Sequence, residues 1–250
     1  MFPTINLGPL SLPAPEFILL ISLWLGSMLS ERYARQSNVD PLIIEKVLLL
    51  SLLTGIVGGR LSYVFRSPSA FGDNILSIFS LNPNLIDPAG GLFVSLAVGY
   101  LYLSKQKISF KAILDSLSPF FAVTALALSI ANYASGKGFG IATTLPWGIE
   151  LWGAIRHPVQ LYFLVCGVIT LLFLLWFYKT KAHEPGTVFF VFLSITSGYR
   201  LFFSGFQETG LITTSGIRLS QIAAWLILVF SIYLLKKPFF PTREDKNHAP

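Results

Sequence analysis

Residues capable of chemistry are sparse in this 250-residue chain and stand among long apolar runs. The densest group is Arg156-His157-Pro158-Val159-Gln160-Leu161-Tyr162, which joins a guanidinium, an imidazole, a carboxamide and a phenol within seven residues. Proline suits the first position of a helix, where its missing N–H would be unpaired anyway. A helix is therefore expected to begin at Pro158, with His157 as its N-cap and Gln160 reaching back. Free amides at that end, the helix dipole and Arg156 together suit an anion. The same features equally suit a plain capped helix beside an interfacial arginine. A second group, Ser197, Arg200, Ser204 and Gln207, is spaced three, four and three residues apart, which is one helical face.

The elements that carry these groups belong in a bilayer. Apolar residues make up 53% and charged residues 12%, with a mean hydropathy of +0.67, well outside soluble composition. The single cysteine, Cys166, excludes a disulfide scaffold and a cysteine-built zinc site. The net charge of +6 is dispersed in small groups between apolar runs rather than gathered on one face, which argues against a nucleic-acid partner. About 20 apolar residues cross the hydrocarbon core as a helix. Seven such spans are expected, over 17–30, 47–64, 88–103, 113–133, 159–178, 187–206 and 219–235. The class is thus an all-α polytopic membrane protein, one transmembrane domain over 1–250. The first span opens behind Pro13 and Pro15, so its outer end is expected to be irregular or tilted. The first sixteen residues lack the positive n-region of a removable signal peptide.

Alternate connections hold twelve basic residues: Arg32, Arg35 and Lys46; Lys105, Lys107 and Lys111; Lys179 and Lys181; Lys236, Lys237, Arg243 and Lys246. The opposite set holds only Arg66, Lys137, Arg156 and Arg218. The positive-inside bias places the N-terminus outside and the C-terminus in the cytoplasm, with a cytoplasmic tail over about 236–250. Two arginines remain, Arg60 and Arg200, both inside spans, where a charge is costly and marks function by default. Under this topology Arg60, Asn132, Arg200, the Asp87-Gly90-Gly91 opening of the third span and the Arg156–Tyr162 run all lie toward the outer face. The anion most available at that depth is a phospholipid phosphate. Residues of about 134–157, glycine-rich and carrying Trp147 and Trp152, are expected to form a mobile outer arm. The stretch 75–81 is too short to span and suits an interfacial helix. Gly55, Gly59 and Ser62 form a small-residue face that suits helix packing. Polar residues at one depth, without a repeat of broken helices, argue against a transporter.

Four segments resemble, in order and spacing, the signatures of the bacterial prolipoprotein diacylglyceryl transferase family. They are Gly58-Gly59-Arg60-Leu61-Ser62-Tyr63-Val64, Asn132 with Gly136 and Gly140, the Arg156-to-Tyr162 run, and Gly198-Tyr199-Arg200-Leu201-Phe202-Phe203. The resemblance implies a multi-pass enzyme of the bacterial inner membrane, without a cofactor. It would move the diacylglyceryl group of phosphatidylglycerol to the lipobox cysteine of a prolipoprotein, meeting the precursor's signal peptide among membrane lipids. It further implies that Arg60, Arg156 and Arg200 hold phosphate, that Asn132 and Gln160 orient the headgroup, and that Tyr63, Gly136 and Tyr162 line the lipid site. His157 stands as a substitute base, with His157 and Arg200 the catalytic pair.

This sequence departs from the family pattern at several positions. The family's histidine at the opening of the third span is Ala89 here, and its arginine three residues before Asn132 is Ser129. A glutamate and an arginine after Arg200 become Ser204 and Gln207, and Tyr-Glu becomes Tyr162-Phe163. Losing a general base costs about 10²- to 10⁴-fold. An alternative therefore stands beside the enzyme: a catalytically silent relative that binds anionic phospholipid or lipoprotein precursors.

Overall fold

The structure is a computed structural model that describes residues 3–7, 10–71, 77–78, 80, 85–106, 109–180, 184–208, 210–214 and 216–236. Most of the interfacial helix expected over 75–81, and the tail beyond Lys236, lie outside the described residues. Six helices are long and apolar enough to cross a membrane. These are α1 (Ala14–Gln36), α2 (Pro41–Arg66), α4 (Phe110–Ser135), α5 (Val159–Thr180), α6 (Thr187–Phe203), which continues as a 3-10 turn to Phe206, and α7 (Leu219–Lys236). The third expected span is the shorter helix α3 (Pro88–Ser104), about 25 Å at 1.5 Å per residue. A 3-10 turn (Pro68–Phe71) and two short antiparallel hairpins are also present, β1 (Thr4–Leu7) with β2 (Leu10–Pro13), and β3 (Ile149–Leu151) with β4 (Ala154–Arg156). Most of the exposed large apolar side chains, Phe65 at 82% and Phe93 at 74% among them, lie on helices that lipid would cover.

The chain divides into two compact units, residues 31–113 and residues 1–30 with 114–250. In the first, α1 ends in a Schellman turn: Val39 N–H bonds the Ala34 carbonyl at 2.9 Å, and Asn38 takes φ +54°, a conformation asparagine tolerates. Asp40 then caps α2 by accepting from Leu42 N–H at 3.0 Å, ahead of Pro41. Helices α2 and α3 meet along glycine and serine. A Cβ on Gly91 would lie 2.7 Å from the Gly55 carbonyl oxygen, so backbone approaches backbone, the geometry small residues permit in membranes. Ser95 donates to the Ser51 carbonyl at 2.7 Å. Asp87 caps α3, accepting from Ala89 N–H at 3.1 Å, Ser62 at 2.7 Å and Arg66 at 3.2 Å. The Ser62 hydroxyl first, and then Arg66, hold its carboxyl below the ordinary carboxylate range. A cavity of about 630 Å³ runs along this pair, lined by Leu53, Val57, Leu61, Phe65, Phe93 and Val94 among others. Most of its lining is apolar, and Ser62, Arg66 and Gly90 border it at the end where α3 opens.

In the second unit α1 starts at Ala14, not at 17. Pro15 and Glu16 fall in its first turn, where proline needs no N–H partner and an acid faces the dipole favourably. The expected irregular end is therefore regular helix. Pro119, fully buried, interrupts the ladder of α4, and the next amide, Phe120 N–H, donates to Ser30 Oγ at 3.2 Å. Ala122, Leu174, Val188 and Phe192 form the core between α4, α5 and α6. The N-cap of α6 is Gly186, which has no side chain to cap with. Asp115 of α4 does it instead, accepting from Gly186 N–H at 2.6 Å and Phe189 N–H at 2.8 Å. Helices α6 and α7 are joined by Ser194 and Ser231, hydroxyl to hydroxyl at 2.9 Å.

Candidate active site

Polar residues gather where α4 ends, α5 begins and α6 gives way to the 3-10 turn. Helix α4 closes in a second Schellman turn: Lys137 N–H bonds the Asn132 carbonyl at 2.9 Å, and Gly136 sits at φ +71°, where a side chain would be strained. Gly136 thus acts through the backbone. It turns the chain so that the Lys137 carbonyl receives the Gln160 amide Nε2 at 2.9 Å.

The arm is stitched down by backbone hydrogen bonds rather than left free. Residues 139–143 bond on one side to 155–157, with Gly140 N–H to His157 O at 3.1 Å and His157 N–H to Ile141 O at 3.1 Å. On the other side Ile141 N–H reaches Phe206 O at 2.8 Å and Glu208 N–H reaches Phe139 O at 3.0 Å. The β3–β4 hairpin at its edge turns through Trp152 and Gly153, both at positive φ, as a two-residue primed turn requires.

Helix α5 begins at Val159, so Pro158 rather than His157 is the capping residue. Two amides expected to be free are used: Val159 N–H bonds His157 O and Leu161 N–H bonds Pro158 O, each at 2.9 Å. Gln160 does not reach back; its amide is spent on Lys137. Its side chain crosses to the turn after α4 because that turn places a bare carbonyl beside it. The anion site expected at this helix end is correspondingly reduced.

Arg156 is held on all sides. Nε donates to Leu151 O at 3.0 Å and Nη1 to Gly140 O at 3.4 Å. Nη1 also pairs with the Glu208 carboxylate, and the guanidinium lies 4.9 Å from the Phe139 ring centre. Its side chain is 14% exposed, and it buckles the arm to the segment after α6. Glu208 was not singled out by motif. The only signal was its standing as an acid close behind Arg200 and opposite a basic residue in the outer connections.

His157 points its Nδ1 at the Tyr162 hydroxyl, 3.2 Å away, and packs at a tilt against Phe206, ring centres 5.0 Å apart. The same hydroxyl accepts the Trp147 indole N–H at 2.9 Å. Trp147 was expected only as an interfacial residue of the arm. Arg200 is exposed, 5.6 Å over the Phe163 ring. Ser197 and Ser204 on the expected stripe are buried. The stripe breaks at Ser204 because the 3-10 turn changes the angular step there, which carries Gln207 into a bridge with Gly140.

Arg60 and Tyr63 belong to the other unit. Arg60 donates to the carbonyls of Ser77 at 2.6 Å, Ile78 at 2.7 Å and Leu85 at 2.9 Å and lies 5.6 Å over Phe71. Three of its five N–H groups therefore organise the connection into α3. Tyr63 packs edge-on against Phe71 at 6.1 Å.

A profile of the family described as prolipoprotein diacylglyceryl transferase matches residues 4–236. The chain belongs to this family. Among its relatives named phosphatidylglycerol–prolipoprotein diacylglyceryl transferase, the protein of Bordetella parapertussis is 30% identical over 204 residues, 78% of each chain. That of Solidesulfovibrio magneticus is 27% identical over 245 residues, covering 93% of this chain and 92% of its own. The Clostridioides difficile protein is 25% identical, over 85% and 87%. Against the prolipoprotein diacylglyceryl transferase pattern, Ala89 sits at the second position of α3 and offers a proton no acceptor. Ser129 is buried with its hydroxyl bonded to the Ala125 carbonyl at 3.0 Å, and it supplies no cation.

Proposed function

We propose that this chain transfers the diacylglyceryl group of phosphatidylglycerol to the lipobox cysteine of prolipoproteins. We take it to act as a seven-span protein of the bacterial inner membrane, N-terminus outside and C-terminus in the cytoplasm. The family match over residues 4–236 supports the reaction, and the basic residues of alternate connections support the orientation. In the reaction the cysteine sulfur bonds to a glycerol carbon while that carbon's bond to the phosphate oxygen breaks. Glycerol phosphate leaves with the electron pair, and the thiol proton passes to a base. Arg200 is the exposed guanidinium that meets the phosphate, because a planar fork matches phosphate oxygens. Asn132 and Gln160 orient the headgroup, and Tyr162 lines the lipid.

The observation that carries this reading is the Tyr162 hydroxyl between Trp147 and His157. An indole N–H can only donate, so the phenol oxygen accepts there, and in the His157 tautomer with Nδ1 unprotonated the phenol gives its own proton to Nδ1. Nδ1 is then the acceptor. The thiol can hand its proton to the phenol oxygen as the phenol proton moves to the imidazole, which replaces the base missing at Ala89. The protein in phosphatidylglycerol liposomes should add a diacylglyceryl mass to a lipobox peptide. His157→Gln and Tyr162→Phe should each lower turnover by about 10²-fold or more with peptide binding retained.

Ala89 and Ser129 favour a second reading, a silent relative that binds anionic phospholipid or lipoprotein precursors. An unchanged peptide mass, with an active relative modifying the same peptide, would decide for it. Retained phosphatidylglycerol would then be seen by native mass spectrometry.

A further inference from the structure

The site contains a buried hydrogen-bond acceptor that nothing among the described residues satisfies. Gln160 is 2% exposed. Its Nε2 donates to the Lys137 carbonyl, which fixes the orientation of the amide, so the other end is an oxygen and can only accept. That Oε1 is buried and has no partner among the described residues. Buried acceptors are almost always paired, by protein, water or ligand.

The same short segment presents two further carboxamides. Gly138 follows Lys137 at φ +66°, and a Cβ there would lie 3.7 Å from Gln207 Nε2 and 3.8 Å from Asn132 Nδ2. Two amide nitrogens thus border the space over a bare α-carbon, next to the peptide that holds Gln160. Three elements contribute one carboxamide each: the end of α4, the start of α5 and the residue after the 3-10 turn. None carries charge. An acceptor-only oxygen repels a phosphate oxygen but receives a hydroxyl proton, and amide N–H groups donate to a hydroxyl oxygen. We propose that Asn132, Gln160 and Gln207 form a hydroxyl-reading subsite that selects the glycerol end of the phospholipid headgroup, with a headgroup hydroxyl donating to Gln160 Oε1. This rests on the phospholipid reading above and assigns Gln207 a part in specificity.

The test compares phosphatidylglycerol with phosphatidylpropanol, which has the same phosphodiester charge and acyl chains but no headgroup hydroxyl. Two readouts are taken with the full chain. One is transfer to a lipobox peptide in liposomes of either lipid. The other is retention of each lipid by detergent-purified protein in native mass spectrometry, which needs no turnover. The expected result is a preference of about tenfold or more for phosphatidylglycerol, because a site built for a hydroxyl rejects the analogue that lacks it. Gln160→Leu should bring that ratio near one by weakening phosphatidylglycerol alone, and Gln207→Met should lower it in the same direction. If Gln160→Leu does not fold, Gln207→Met decides. Equal retention of both lipids by wild-type protein, or an unchanged ratio in a folded variant, overturns the subsite. A selective retention ratio without transfer supports the subsite while refuting catalysis, so the two proposals fail separately.

Discussion

Placing alanine at Gly140 tests whether the arm and the start of α5 are one structural unit. The added Cβ would come within 2.5 Å of the His157 carbonyl oxygen, 2.6 Å of His157 Cβ and 2.9 Å of Val159 Cγ2. The first two atoms are fixed by the backbone of residue 157 and cannot rotate away. Ordinary carbon contact needs about 3.5–4.0 Å, so the segment 139–143 must move by about an ångström. Overpacking of this kind costs about 1–3 kcal/mol. The shift also stretches the Gly140-to-His157 hydrogen bond, which adds roughly 1 kcal/mol. A loss of about 2–4 kcal/mol follows, and His157 loses its register with Tyr162, so transfer falls further than stability. Two controls separate crowding from strain. Gly153 has φ +74° and open space around it, so alanine there meets only the left-handed penalty of about 1–2 kcal/mol. Gly198 has neither clash nor positive φ, and alanine there should gain up to about 1 kcal/mol within α6. Thermal melting by tryptophan fluorescence, beside transfer in liposomes, should rank Gly198→Ala at or above wild type, then Gly153→Ala, then Gly140→Ala. Wild-type melting and turnover in Gly140→Ala would refute the close approach of the arm to His157.

Three further outcomes are expected. Asp115→Ala leaves the Gly186 and Phe189 amides without their acceptor, so melting should report a loss of about 1–3 kcal/mol, while transfer per folded molecule stays unchanged. The Asp87 carboxyl is held below its ordinary value, chiefly by the Ser62 hydroxyl. Its contribution is therefore fully present above the unfolded carboxylate value and lost as pH falls through the lowered folded one. Melting followed through the acidic range should show that loss in wild type and a flatter curve in Asp87→Asn. Arg156→Lys and Glu208→Gln each break the buckle between the arm and the segment after α6, at about 1–2 kcal/mol given that Glu208 is 46% exposed. Protease cleavage within 134–157 should rise in both, and the double variant should be little worse than Arg156→Lys alone.

Some of this architecture is legible in the residues by position. The apolar runs from Val159 and from Leu219 begin where helices α5 and α7 begin, because a chain in lipid must close its backbone hydrogen bonds locally and so forms helices. The packing face of Gly55 and Gly59 was readable too, since small residues at helical spacing have few other uses in a membrane, but its partner Gly91 was found only in the structure. The start of α1 was not: Pro15 looks like a breaker until its place in the first turn is known. Neither was the arm, where glycine content suggested freedom but pairing between residues 139–143, 155–157 and 206–208 removed it.

Amino-acid order alone determined what kind of molecule this is: the bilayer as solvent, the approximate spans, and the rare polar residues worth asking about. Tertiary structure decided what those residues touch. Arg60 directs three donors at the carbonyls of Ser77, Ile78 and Leu85, and Arg156 directs two at those of Leu151 and Gly140. Every residue offers a carbonyl, so no side-chain pattern announces which one an arginine will find. Hydropathy is a local property and is written along the chain; hydrogen-bond partnership between distant loops exists only once the backbone has turned them together.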